Sequence, residues 1–223
     1  VSDLAAARIL RKAAHVFDFS MDETTGVIAP LLSLPSSEAV VRQYMAVGGL
    51  PASVQHSMLQ GKISLKGARI LTRLSPAELE VLQETLFKKC VLSASDITNM
   101  YEYMQILLHR DNISWRAALL SDSITAILDN AKLSKKQKGE RCLLTLRQKA
   151  YPFMTRMRRD FAAVLKRLPL PGRVQLKDPG TFEKDFYTLE ISFRSADELK
   201  DLLRTVGSHA ERFEPLFSID RYK

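Results

Sequence analysis

Long apolar runs are missing from this chain. Nowhere in its 223 residues does a hydrophobic stretch approach 18 residues, so no segment reads as a membrane-spanning helix. Cysteine is scarce: Cys90 and Cys142 stand alone with no CxxC spacing. They read as reduced thiols of a cytosolic protein, with buried packing as their role. The four histidines, His15, His56, His109 and His209, make no HxxxH or HExxH pattern, and no metal ligand is assigned to them. A Walker A loop, a GxGxxG turn and a nucleophile elbow are also missing, so nucleotide, dinucleotide and serine-hydrolase chemistries lack their usual carriers. A nuclease would need a metal-binding carboxylate cluster, and none is evident. No signal peptide opens the chain and its first residue is Val, which is expected of a piece of a longer protein. The only tryptophan, Trp115, is expected to anchor a core.

What is present is an ordinary globular composition, 46% hydrophobic and 26% charged, in a length that suits one or two domains. The net charge of +8 is unevenly spread. Residues 1–131 carry 12 basic and 13 acidic groups, residues 132–173 carry 13 and 2, and residues 174–223 carry 8 and 10. The whole excess sits in one 42-residue stretch. Such a stretch attracts a polyanion and releases counterions from DNA on contact; the competing reading is a solvated helix face.

The most informative segment is Leu50–Leu71, LPASVQHSMLQGKISLKGARIL. Pro51 suits the first position of a helix, where its missing N–H costs nothing. Val54 and Met58 give that helix one apolar face. Gly61 stops it in the left-handed conformation. Ser64 caps the next helix, and Ile63 is placed to pack on Ala68 as a staple. Lys62, Lys66, Arg69 and Arg73 form a row of cations, the last three on one helix face.

The pattern LPxxVxxxLxxGKISxxxARxL, carried by Leu50, Pro51, Val54, Gly61, Lys62, Ile63, Ser64, Ala68 and Arg69, with Met58 at its middle leucine position and Leu59 beside it, closely resembles the helical DNA-binding core of ParB-type partition proteins. The resemblance covers roughly residues 1 to 110. It implies a helix-turn-helix just before the Leu-Pro pair, where Met21–Val47 reads that way, and a further serine-capped helix, supplied by Ser93–Leu108. It further implies double-stranded DNA as partner, a homodimer, a partition ATPase as a second partner, and a role in chromosome or plasmid partition in the cytoplasm at the nucleoid. Partition proteins of this type carry CTP in a nucleotide-binding domain ahead of the helical region. The arginine-rich motif of that domain is absent here, so no cofactor is assigned to these residues.

Elsewhere the pattern is mostly helical. Residues 3–16 have apolar helical spacing, and Ser20 with Glu23 makes a capping box for a helix through Leu32 that Pro30 ends early. Ser36 or Ser37 starts the next helix, closed by Gly48-Gly49. Ser75-Pro76 with Glu78 is a further start, with Leu79, Leu82 and Leu86 inward. Ser93 with Asp96 opens another, and Ser114 and Asp122 begin two short ones. Ser134 with Gln137 opens a cationic helix to Ala150. Pro152 breaks the chain before a second basic helix, Met154–Leu168.

After Pro169 and Pro171 the period becomes two. Val174 and Leu176 lie on one side of a strand, and Tyr187, Leu189, Ile191 and Phe193 on one side of another. Asp178-Pro179-Gly180 supplies a turn between them. Ser195 with Glu198 starts a helix carrying Leu199, Leu202, Leu203 and Val206. This αββα unit, about Tyr151 to Ser208, has a sheet too small to stand alone. Either a second copy pairs with it through Tyr187, Leu189, Ile191, Phe193, Leu199, Leu202 and Leu203, or its own helices cover the strands. The resemblance implies a small dimerising unit of the same order.

The expected fold class is mainly α: a multi-helix domain with a helix-turn-helix over residues 1–131, then basic helices and the αββα unit over residues 132–223. The groove-facing helix would be Ser36–Val47, with Ser37, Glu38, Arg42 and Gln43 as base-reading candidates. Arg reads guanine and Gln reads adenine, so Arg42 and Gln43 lead. Glu38 departs from the basic or small polar residue common in the family; it repels phosphate but can accept from cytosine. The phosphate candidates are Lys62, Lys66, Arg69, Arg73, Lys135, Lys136, Lys138, Arg141, Arg156, Arg158 and Arg159. For the first four the alternative is a solvated face near Glu78 or Glu80. The rival functions are a transcriptional regulator with the same helical core and a protein-interaction module whose helix-turn-helix no longer reads bases.

Overall fold

The computed structural model describes residues 1–177, 180 and 186–219. The chain is mainly helical, with one two-stranded antiparallel sheet among the described residues. It divides into two compact units, Val1–Ala150 and Tyr151–Lys223.

The first unit is built from α1 (Asp3–Val16), α2 (Met21–Glu23), α3 (Ala29–Leu31), α4 (Glu38–Gly48), α5 (Ala52–Leu59), α6 (Leu65–Leu71), α7 (Pro76–Leu82), α8 (Ala94–Asp111), α9 (Trp115–Leu119), α10 (Asp122–Asp129) and α11 (Lys135–Ala150). A π turn over Thr24–Ile28 joins α2 to α3, and a second over Gln83–Phe87 extends α7. The capping boxes Ser20/Glu23, Ser75/Glu78 and Ser93/Asp96 all form. In each, the serine hydroxyl takes an amide left free at the helix start and the carboxylate returns to the serine's own amide. The segment expected to close at Pro30 ends at Leu31. The helix after Ser93 runs three residues past Leu108, to Asp111, where Asn112 supplies the left-handed cap at φ 54°.

Glycine and glutamine fix the crossing of the first helices. A Cβ at Gly48 would lie 2.5 Å from the Ala7 carbonyl oxygen, so α1 and α4 meet backbone to side with no room for a methyl. Gln55 is buried and donates from Nε2 to the carbonyls of Gly48 (3.0 Å) and Leu50 (2.7 Å), while accepting from Arg8 Nε at 2.7 Å. One side chain thus ties α1, the end of α4 and the start of α5, and satisfies two carbonyls that the α4–α5 corner leaves open. Trp115 is buried on Tyr101 with ring centroids 6.4 Å apart, the core anchor expected of it.

The charge pattern puts the domain divide at 131/132, whereas the chain divides after Ala150. The reason is packing. Cys142, Leu143, Leu146 and Ala150 bury one stripe of α11. Gly139 lets that helix approach so closely that a Cβ there would lie 2.8 Å from the Val91 carbonyl oxygen. Arg110 then donates to the Ala150 and Lys149 carbonyls at 2.6 and 2.8 Å, closing the end of α11.

The second unit holds α12 (Pro152–Leu165), β1 (Val174–Lys177), β2 (Thr188–Ile191), α13 (Ala196–Gly207) and α14 (Glu214–Ile219), with a 3-10 turn at Ala210–Phe213. The expected helix-strand-strand-helix order is present. Pro152 is the first residue of α12 rather than a break before Met154, because an N1 proline forfeits no bond. The strands pair Val174 with Ile191 and Leu176 with Leu189, so these four share one face. Met157, Phe161, Leu168, Leu176 and Leu216 form the core. Asp178 and Pro179 of the expected turn lie outside the described residues; Gly180 has φ 75°.

Candidate nucleic-acid interface

The α4 helix, expected to face the groove, presents Glu38, Ala39, Arg42, Gln43 and Ala46 to solvent, while Val41, Tyr44 and Val47 are buried. The stripe is narrow and two of its members are alanines, which lets a partner approach the helix backbone. Ser37 caps α4 in extended conformation but its side chain makes no cap bond. Tyr44 holds the inner side: its hydroxyl donates to Asp3 Oδ1 at 3.0 Å, and burial first, then this bond, pushes the phenol above its ordinary range. Arg42 is not idle. Its guanidinium donates to Glu38 Oε1 from both Nε, at 2.7 Å, and Nη2.

The Leu50–Leu71 segment folds much as its residues indicate. Pro51 sits one position earlier than expected, as the N-cap of α5. The Gly61 amide donates to the Met58 carbonyl and the Lys62 amide to the Ser57 carbonyl, with Gly61 at φ 69°, a Schellman stop. Ser64 Oγ accepts from the Gly67 amide at 3.2 Å. The cationic row is broken, however. The α6 helix ends at Leu71, and Arg73 lies in the following turn with its guanidinium 5.9 Å over the Tyr101 ring. Arg69 is half-buried; Lys62 and Lys66 are exposed.

The basic segment is sorted by the fold. On α11, Ser134 and Gln137 close the helix start by reciprocal bonds of 2.9 and 3.2 Å. Lys135, Lys136, Arg141 and Arg147 are exposed. Lys138 is committed elsewhere: its ammonium donates to the Leu128 carbonyl at 2.6 Å, at the end of α10, where a cation complements the helix dipole. Lys149 likewise donates to Ser121 Oγ at 2.9 Å. The remaining candidates lie in the second unit. Arg156 and Arg159 are exposed on α12, Arg159 beside Asp160 at 3.5 Å, and Arg158 donates to the Gly180 carbonyl at 3.2 Å. The 42-residue cationic run is therefore divided between two units.

One juxtaposition has no trace in local sequence. Lys62 and Lys135, 73 positions apart, line one small pocket together with Ser57, Phe87 and Cys90. The Val91 amide donates to the Lys135 carbonyl at 3.2 Å, which holds the start of α11 against this rim. Two exposed lysines on the rim of one opening make it locally basic.

Among the residues expected at a dimer contact, Tyr187 belongs to its own unit. Its ring stacks on Phe161 at 5.9 Å and meets Phe217 edge-on at 5.6 Å, and its hydroxyl donates to the Leu216 carbonyl at 2.8 Å. The C-terminal helix that supplies Leu216 and Phe217 is not legible in the apolar period. Leu189, Phe193 and Leu203 remain exposed, Leu199, Leu202 and Ile191 are half-covered, and α13 has no buried residue.

No helix among the described residues is long and apolar enough to cross a membrane. No protein-family model, no curated protein and no solved structure matches this chain.

Proposed function

We propose that this protein binds duplex DNA, with α4 toward the major groove and the Lys62/Lys135 rim and the outer face of α11 on phosphates. It acts as a homodimer joined through the apolar faces of β2 and α13, in chromosome or plasmid partition of the ParB type. The observation that carries the reading is that Lys62 and Lys135, distant in sequence, line one pocket. Phosphates would be held there by charge, and sequence read by the exposed stripe of α4. The partition role rests on the sequence pattern of Leu50–Leu71 and its helical surroundings.

A second reading, a protein-interaction module, is favoured by two observations. Glu38 occupies Arg42. Val16, Phe17, Val27 and Leu31 are each more than half exposed near the start of the chain. Sequencing of genomic fragments captured by the purified chain at near-physiological salt separates the readings. Enrichment of one short inverted repeat supports a dimeric site reader, and its genomic position distinguishes partition from transcriptional control. Capture no better than a bead control overturns the DNA reading in favour of the interaction module.

A further inference from the structure

We propose that Cys90 and Cys142 form a reversible disulfide driven by hydroperoxide, with Cys90 as the attacking thiol and Cys142 as the resolving one. The inference stands apart from DNA binding and rests on how the two thiols are placed.

Cys90 follows the helical run begun by α7, its amide donating to the Leu86 carbonyl at 2.7 Å. Cys142 faces inward from α11. Both are free thiols. Gly139, one turn before Cys142, brings the α11 backbone so near that a Cβ there would lie 3.7 Å from the Cys90 Cβ. Cys142, one turn further along the same inward stripe of α11, interacts side chain to side chain with Cys90, and a disulfide brings the two sulfurs to about 2.05 Å.

The roles follow from access. Cys142 is fully buried at 0% exposure, whereas Cys90 is 7% exposed and lines the pocket with Lys62 and Lys135. That pocket has a volume of about 50 Å³, several times the roughly 10–15 Å³ that one water needs, so a small hydroperoxide fits against Cys90. The side-chain hydrogen bond with Cys142, with lesser help from Lys138 and Lys89 and against the effect of burial, draws the Cys90 thiol below its ordinary range. The same bond, with burial, raises Cys142. The thiol that reaches the pocket and is drawn toward its thiolate form is the nucleophile.

The chemistry balances in two steps. Cys90 thiolate attacks the terminal oxygen of the hydroperoxide; the O–O bond breaks, an alkoxide (hydroxide, from hydrogen peroxide) leaves and takes up the proton that the Cys90 thiol gave to solvent, and sulfenic acid forms. Cys142 sulfur then attacks the sulfenic sulfur; the S–O bond breaks, water leaves with the Cys142 proton, and the disulfide forms. Two thiols are oxidised by two electrons as one peroxide bond is reduced. A cellular dithiol reverses the change by exchange.

The disulfide itself is tested without a variant. The reduced full chain is treated with hydrogen peroxide near equimolar dose and digested with trypsin without reductant. The expected product joins peptide Cys90–Arg110 to Cys142–Arg147 within one chain and separates on adding dithiothreitol. Recovery of both peptides with free thiols, or joined only between chains, overturns the proposal. In C142S, dimedone should trap a sulfenic acid on Cys90; in C90S, Cys142 should stay reduced at the same dose. Oxidation of Cys142 in C90S at the wild-type rate overturns the assignment of roles.

Discussion

Arg42 turns back along α4 and places two guanidinium donors on a single oxygen of Glu38, one turn earlier. Both side chains are more than half exposed, 64% and 56%, so the pair contributes little to folding and serves mainly to hold Arg42 in place. In the DNA-binding reading the carboxylate hinders twice, by occupying the arginine and by repelling phosphate. Glu38→Gln should therefore bind duplex DNA about three- to tenfold more tightly, roughly 1 kcal/mol. Fluorescence anisotropy at fixed salt measures this, and Arg42→Ala in the same background should cancel the gain. An unchanged affinity would remove α4 from the interface.

Charge reversal of Lys135, Lys136 and Arg141 should weaken binding to any duplex and flatten its dependence on salt, by somewhat under one unit of logarithmic slope for each phosphate no longer neutralised. Lys138→Glu should behave differently. Its ammonium holds the Leu128 carbonyl at the end of α10, so reversal there should lower the thermal midpoint, whereas the first three changes leave it unmoved. Equal salt slopes for wild type and triple variant would exclude α11 from phosphate binding.

The different fates of these lysines mark how far the sequence is legible. Capping boxes, the Gly61 stop, the start of α11 at Ser134 and the alternation of β2 are local signals, set by residues two to five apart, and they predict the elements well. The Glu38–Arg42 pair stands in the same i,i+4 spacing, but a helical wheel does not say whether an arginine faces a partner or a carboxylate of its own helix. Lys138 reads as one of a run because its acceptor lies on another helix. The bond of Gln55 with Arg8, and the pocket that Lys62 and Lys135 share, exist only once distant segments pack. The terminal helix that covers Tyr187 is short, and its apolar residues carry too little period to declare it.

Gln55→Leu should destabilise the first unit by about 1–3 kcal/mol, because two carbonyls and the Arg8 guanidinium lose their partner in a buried corner. Chemical denaturation followed by circular dichroism reads the change. Stability equal to wild type would mean that water replaces the amide there.

Acid should weaken the first unit in a defined direction. Ser20's backbone and side-chain bonds hold the Glu23 carboxyl below its ordinary range, Arg110 does the same to Asp111, and Lys89 to Asp129. Groups whose folded pKa is depressed add stability above the unfolded value, and that stability is lost as pH falls through the folded one. Thermal midpoints should hold from neutral pH down to about 4 and fall below it. Titration of Asp129 by NMR in Lys89→Ala should return toward the ordinary range; a value equal to wild type would dismiss the Lys89 ion pair at 2.6 Å as its cause.

If a second copy covers β2 and α13, Leu203→Glu or Phe193→Glu should convert dimer to monomer in sedimentation without unfolding the Met157/Phe161/Leu176 core. Both residues are half exposed or more, and neither belongs to that core. A wild-type chain that sediments as a monomer at micromolar concentration would exclude the dimer.

The close crossing at Gly48 separates two kinds of freedom in α4. Its inner residues, Val41, Tyr44 and Val47, and the glycine that clears the Ala7 carbonyl, set the direction in which the helix points. The outer residues Ala39, Gln43 and Ala46 are exposed and stand away from that crossing. Substitution on the outer stripe can therefore rewrite what the helix touches at little cost to folding, whereas a single methyl at position 48 would turn every outer residue at once. A library confined to positions 39, 43 and 46 should accordingly stay folded while its binding preferences diverge, and a library at position 48 should collapse back to glycine.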